Sequence, residues 1–382
     1  MKKIAILSLY HRNYNYGGLL QAYALQKAVE SFGHKCDQIS YELMSGYPGY
    51  SPLKESVKGR LAPAYRYLRY GGWAHGYNKF RTKLDDFAAR IPHTERVTAG
   101  TISSLKDRYD LFISGSDQIW NPTGYQKELF LDFLPDDVKR IAYAASIARD
   151  ALNDEEAGFM GRYLPRYDFI SVRESSTAEM LNRAFADLDV KCMPDPVFLL
   201  KEKDWEGLTV PCEPSQIFAY FLGDDEDNRE KAKAYAKKNH MSISFVSHKD
   251  THDRRWEVRN REYLAPVMGI GEFLYCIGNA GLVITDSFHA SALSCILGTP
   301  FLAMPRFKDG DVSSMNSRLR DLTAALGIGE RFGKELKEEF GFTGPEKAEI
   351  KSRIEDMRSE GLMFLKESID KCLYPDDREG SS

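Results

Sequence analysis

No apolar run in this sequence is long enough to cross a bilayer. Lys2 and Lys3 precede only Ile4-Ala5-Ile6-Leu7-Ser8-Leu9-Tyr10, which is also too short for the core of a secretion signal. There is no CxxC pair either. The six cysteines (Cys36, Cys192, Cys212, Cys276, Cys295 and Cys372) are scattered, which argues against a zinc ribbon and against a disulfide framework. Cys276 and Cys295 read as small buried apolar residues, and a cytoplasmic, reducing setting is expected. No block of one charge sign occurs and the net charge is only -4, so no nucleic acid is expected as main partner. Internal repeats, low-complexity tracts, a GxGxxG fingerprint and a Walker loop are all missing.

What remains is a soluble globular composition on 382 residues, too many for one ordinary core. Short β-branched or apolar runs alternate with helical periodicity, the signature of parallel strands buried on both faces. Strands are expected at Ile4 to Leu9, Cys36 to Ser40, Asp110 to Ser114, Lys139 to Ala145 and Phe169 to Val172, then at Gln216 to Leu222, Ser242 to Val246, Leu282 to Thr285 and Phe301 to Met304. The expected class is α/β, with two Rossmann-like halves joined near Asp195 to Lys203. The first runs from 1 to 200 with an insertion at about 45–95, the second from 201 to 343, and 344–382 form a helical tail, one helix or two over Gly344 to Leu373. Pro194-Asp195-Pro196 reads as a stiff, extended hinge.

The stretch Gly281 to Pro300, GLVITDSFHASALSCILGTP, reads as strand, short polar turn and helix, stopped by Gly298 and Pro300. In open α/β sheets ligands bind beyond the carboxyl ends of the strands, and a helix N-terminus there offers unpaired amides to an anion. His289 falls at that spot, as a ligand contact or catalytic group, or else as a packed histidine. Asp286 and Ser287 are site candidates and also good N-cap types. The first strand leads into Tyr10-His11-Arg12-Asn13-Tyr14-Asn15-Tyr16-Gly17-Gly18, a polar turn where backbone amides can approach a ligand, although glycine there also serves geometry alone. Gly115-Ser116-Asp117-Gln118-Ile119-Trp120-Asn121 leaves the strand before it with a dense set of donors and acceptors, in which Asp117 could instead cap a helix. Arg173 follows Val172 at a position read as equivalent to that of His289. It is either an anion clamp or one half of an Arg173–Glu174 surface pair. Arg306, Lys308, Asn316 and Arg318 could add positive charge to the cleft.

Two further stretches have simpler explanations. Aromatic and basic residues interleave from Arg60 to Arg81; such side chains can stack on sugars, but an amphipathic helical insertion explains them. His248-Lys249-Asp250-Thr251-His252-Asp253 has the residues of a metal site, but no regular element to fix them, and reads as a solvated loop.

Asn15-Tyr16-Gly17-Gly18 with Leu20-Gln21-Ala22-Tyr23-Ala24-Leu25, Gly115 to Asn121, Ser171-Val172-Arg173-Glu174, Asp195-Pro196, Thr285 to His289 and Asn316-Ser317-Arg318-Leu319 follow one another in an order and spacing that resembles the polysaccharide pyruvyl transferase family. The resemblance covers nearly the whole chain. It implies a GT-B-like pair of domains with a central interdomain cleft. It also implies phosphoenolpyruvate as donor substrate with no other cofactor and no metal, and a sugar hydroxyl pair as acceptor. The product would be a pyruvate ketal on a cell-surface glycan precursor; a lipid-linked acceptor, with peripheral membrane contact through the insertion, is a further expectation. The family's donor-binding arginine maps onto Arg173 and its essential histidine onto His289, which is followed here by Ala290 where close relatives often have glycine. Asp117 is the candidate base, with Asn15, Gly17, Gly18, Gln21, Gly115, Ser116, Asn121, Asp286, Ser287, Arg306 and Asn316 expected at the substrate. A nucleotide-sugar glycosyltransferase and a glycan-binding protein without activity are the alternatives.

Overall fold

The structure is a computed structural model that describes residues 1–46, 72–122, 126–149, 151–223, 225–247, 255–307, 315–336 and 340–375. Most of the expected aromatic-basic insertion, the His248 to Asp253 loop and Lys308 lie outside the described residues. The chain divides into two compact units: Met1–His75, Asp85–Leu199 and Met357–Ser382 form one, Gly76–Leu84 and Leu200–Asp356 the other. Each is α/β and Rossmann-like.

The first unit carries β1 (Lys3–Leu7), α1 (Tyr16–Ser31), β2 (Lys35–Gln38), the end of α2 (Gly72–Ala88), β3 (Leu111–Ser114), β4 (Arg140–Ala145), α3 (Asp154–Tyr163), β5 (Phe169–Val172), α4 (Ser175–Ala184) and β6 (Val190–Cys192). Its six strands are all parallel in the order β2-β1-β3-β4-β5-β6. The strand period of two, with a core on each face, explains why β1 is apolar from Ile4 to Leu7. Ala5 and Leu7 enter the core on one face with Phe112, Trp120 and Leu164, while Ile4 and Ile6 enter the other with Leu25 and Val29. Each such side chain contributes about 1.5–3 kcal/mol by leaving water. After β1, Asn15 caps α1 and Gly33, at φ 85, ends it.

The second unit carries α5 (Glu202–Glu206), β7 (Ile217–Tyr220), α6 (Glu226–Lys238), β8 (Ile243–Val246), α7 (Arg255–Arg259), α8 (Ile270–Asn279), β9 (Leu282–Thr285), α9 (Phe288–Ile296), β10 (Phe301–Ala303) and α10 (Ser317–Ala325). Its sheet is again parallel, in the order β10-β9-β7-β8. Both sheets therefore share one topology: the first strand of each unit has the second on one side and the third on the other. The chain reverses direction across the sheet at that strand, between β1 and β3 in one unit and between β7 and β9 in the other. Such switch points open a crevice at the carboxyl ends.

The expected tail is one 30-residue helix, α11 (Gly344–Leu373), and it is not a body of its own. Its end belongs to the first unit because Leu365, Ile369 and Cys372 are buried beside Val29 and Ile4.

Candidate active site

In the first unit the candidates gather at the switch point. Gln21, buried in the second turn of α1, ties the two strand exits together. Its Nε2 donates to Ser8 Oγ at 2.6 Å and to the Gly18 carbonyl at 2.8 Å, and its Oε1 accepts from the Ser116 amide at 3.2 Å. Asn15 Oδ1 accepts from the Gly17 amide at 2.8 Å, so Asn15 is a helix cap. Gly115 stands at φ 130, and a Cβ there would lie 2.2 Å from the Tyr143 carbonyl oxygen. Only glycine fits. Ser116 Oγ donates to the Ala144 carbonyl at 2.6 Å. Asp117, at φ 61, occupies the left-handed region without being glycine, a local strain of the kind that collects at functional turns. It caps no helix. Two backbone bonds hold its loop to the exit of β4: Ser146 N to Asp117 O at 2.9 Å, and Trp120 N to Ser146 O at 3.2 Å. Asn121 Nδ2 donates to Gln118 Oε1 at 3.0 Å. Trp120 is core, stacked on Phe130 with ring centroids 5.3 Å apart.

Arg173 differs from one of the two accounts given by the sequence. Its pair with Glu174 is buried, with side-chain exposures of 2% and 3%, so the surface-pair reading fails. Nε donates to Glu174 Oε1 at 3.1 Å and Nη1 to Asp195 Oδ2 at 2.6 Å. Burial would pull the guanidinium's pKa down, but Glu174, Asp195 and Asp117 outweigh it and hold the group more firmly charged. Asp195 also accepts from the Val197 amide at 3.0 Å. The Pro194-Asp195-Pro196 segment is therefore pinned within the first unit. Ser146 Oγ donates to the same Glu174 oxygen at 2.8 Å, which continues the network toward the Asp117 loop.

In the second unit Asp286 bridges the switch point. Its carboxylate accepts from the Leu222 amide at 2.7 Å and the Gly223 amide at 2.8 Å, at the exit of β7. Arg306 closes over it: Nη2 donates to the Asp286 carbonyl at 2.9 Å, and Nε lies 3.4 Å from Oδ2. Asn316 holds that arginine's own backbone, accepting on Oδ1 from the Arg306 and Phe307 amides at 3.0 and 3.2 Å. Ser287 caps α9, accepting from Ala290 N at 3.4 Å. His289 is the second residue of α9, 8% exposed, with its ring edge-on to Phe288 at 5.3 Å. Ala290 is fully buried.

Counting from the strand ends corrects one expected equivalence. Arg173 is the first residue past β5 and matches Asp286, the first past β9. His289 stands three residues further on. Both first-position residues cross-link neighbouring strand exits: Arg173 reaches Asp195 after β6, and Asp286 reaches the amides after β7. The sequence reading paired Arg173 with Glu174 but at the surface, and it missed Ser8, Ser146 and Asp195 as partners and the Leu222 and Gly223 amides. Asp195 between two prolines was the only local signal for any of them.

A hollow of about 620 Å³ lined by Thr101, Ser104, Lys106, Asp107 and Phe133 precedes β3 and β4, at the amino edge of the sheet. No candidate residue lines it. Among the described residues no cluster of three His, Cys, Asp or Glu could hold a metal, and no helix is long and apolar enough to cross a membrane.

A sequence model of the family described as "Polysaccharide pyruvyl transferase" matches residues 15–306. No curated protein matches the chain. Solved structures similar to it include UDP-GlcNAc 2-epimerase from Neisseria meningitidis, bound to UDP-GlcNAc, with 10% identity and a TM-score of 0.47 over 97% of this chain and 100% of that one. HepE from Anabaena, in complex with UDP and glucose, has 9% identity and a TM-score of 0.48 over 98% and 100%. MurG from Acinetobacter baumannii has 10% identity and a TM-score of 0.41 over 96% and 95%. Likeness at this level carries no inference about activity.

Proposed function

The chain belongs to the polysaccharide pyruvyl transferase family, and from that premise we propose that it transfers the pyruvyl group of phosphoenolpyruvate to two hydroxyls of a sugar in a cell-surface polysaccharide precursor. The observation that supports this most is the position of His289. It lies in the first turn of a helix that starts at the carboxyl end of a switch-point strand, where the positive end of the helix dipole favours a phosphate. Arg306, held on Asp286 at the same strand exit, brings a guanidinium there as a hydrogen-bond donor.

In the reaction, a proton adds to the methylene carbon of the donor, one hydroxyl attacks the adjoining carbon, inorganic phosphate departs, and the second hydroxyl closes the ketal. Of the two hydroxyl protons, one is balanced by the new methyl hydrogen and the other leaves with phosphate. His289 contacts the donor phosphate and acts as general acid. Arg173, oriented by Glu174 and Asp195, fixes an anionic group, and Asp117 accepts a proton from the sugar. His289→Gln should abolish phosphate release while the melting curve is retained. Turnover in a folded His289→Gln protein would remove the assignment. A lipid-linked acceptor and peripheral membrane contact belong to the same proposal, and absence of co-sedimentation with anionic liposomes would remove the membrane part.

A further inference from the structure

Far apart in sequence, Cys212 and Cys276 bring their sulfurs to 3.2 Å. Both are free thiols. Cys212 lies on the segment that leads into β7, partly exposed between exposed Pro211, Glu213 and Pro214, while Cys276 is buried on α8 at 1% exposure. The approach is built into the backbone. The Val210 amide donates to the Gly271 carbonyl at 3.0 Å, which lays the segment against the first turn of α8. A Cβ on Gly271 would come within 2.5 Å of Val210 Cγ2 and 2.8 Å of the Leu208 carbonyl oxygen, so glycine is what lets the segment lie this close. Cys212 Sγ then rests 3.8 Å from the Glu272 carbonyl oxygen.

We propose that Cys212 and Cys276 are a redox modification site that closes to a reversible intramolecular disulfide on exposure to a peroxide. The sulfurs have only to approach from 3.2 Å to about 2.05 Å, a change of side-chain torsion. Cys212 is the accessible partner and meets the oxidant first: its thiolate attacks hydrogen peroxide, forming a sulfenic acid and, with one proton, releasing water. The Cys276 sulfur then attacks the Cys212 sulfur, the S–O bond breaks, and the hydroxyl leaves as a second water with the Cys276 proton. Overall two thiols are oxidised and one peroxide is reduced. Burial and the neighbouring Cys212 keep the Cys276 thiol protonated until that step. The bond would close a loop of 64 residues in sequence separation and restrain the unfolded chain. The proposal is independent of the transferase reading, since neither cysteine belongs to the candidate site.

The test uses the full chain with Cys192→Ser, because exposed Cys192 could join two molecules. The reduced protein is treated with hydrogen peroxide, alkylated and digested without reductant. The expected result is one peptide pair linked through Cys212 and Cys276, two fewer alkylated thiols, recovery of both by dithiothreitol, and a melting temperature raised by about 10 °C. Cys212→Ser, at a half-exposed position that keeps the fold, should lose the link and the shift, and Gly271→Ala should slow its formation several-fold. Over-oxidation of Cys212 without a link to Cys276, pairing of either with another cysteine, or an equal melting shift in Cys212→Ser would overturn the proposal.

Discussion

Replacing Arg173 with Met removes a charge and keeps most of the side chain's length. It leaves Glu174 and Asp195, with side-chain exposures of 3% and 0%, as carboxylates that have lost a donor at 3.1 and 2.6 Å. Removing one partner of a buried pair costs about 3–5 kcal/mol, because the remaining charge stays desolvated. For a unit of this size that is on the order of 10 °C in melting temperature. The pH dependence follows. Without the guanidinium a buried carboxylate favours its protonated form, so its folded pKa rises above the unfolded value. The folded variant then binds more protons than its unfolded chain as pH falls, and part of the deficit is recovered between pH 8 and pH 5. Adding Asp195→Asn should recover part of it at pH 8, since the amide oxygen can still accept from Val197 N. Calorimetric melting of the three proteins at both pH values checks this. A single variant within about 1 kcal/mol of the parent at pH 8, or a deficit that grows as pH falls, would refute the counter-ion account.

Gly115→Ala should lower the unfolding free energy read from a urea titration by about 2–4 kcal/mol, because the methyl meets the Tyr143 carbonyl at 2.2 Å and the backbone is at φ 130. Tyr143→Phe should be neutral or stabilising by up to about 1 kcal/mol: the phenol is fully buried and its hydroxyl finds no hydrogen-bond partner among the described residues. A clear loss of stability in chemical denaturation would show a hidden partner. Burial first, then Arg12, Arg96 and His93, lowers the pKa of His11 from 6.5 to about 4. The unfolded chain therefore binds this proton first, and stability should fall as pH drops from 6.5 toward 4. The ceiling is about 3 kcal/mol, reduced to about 1–2 by partial exposure. His11→Gln should flatten that part of a stability–pH curve.

Nine of the ten described strands were legible because parallel strands buried on both faces are mostly apolar; β6, whose Lys191 and Cys192 are exposed, offered no such run. Phe169–Val172 and Leu282–Thr285 fall where the runs FISV and LVIT place them. The α11 helix follows the charged periodicity from Gly344 to Leu373. His289 at a helix start and Ser287 as its cap were also readable, since both depend on a few neighbouring residues. The roles of Asp286, Gln21 and Arg173 were not. Each depends on which strand lies beside which: Asp286 finds the Leu222 and Gly223 amides only because β7 neighbours β9, and Arg173 finds Asp195 only because β6 neighbours β5. Strand order is a long-range property that no local pattern encodes. The nearness of Cys212 to Cys276 was hidden for the same reason.

The proposed activity is tested most directly by incubating the purified protein with carbon-labelled phosphoenolpyruvate and an extract of lipid-linked oligosaccharides, following inorganic phosphate and the masses of the glycans together. The account predicts phosphate release that requires the extract, matched mole for mole by a labelled pyruvate ketal on a glycan, and loss of both with His289→Gln. Label that stays on the donor, or transfer of a sugar from an added nucleotide sugar in its place, would contradict it.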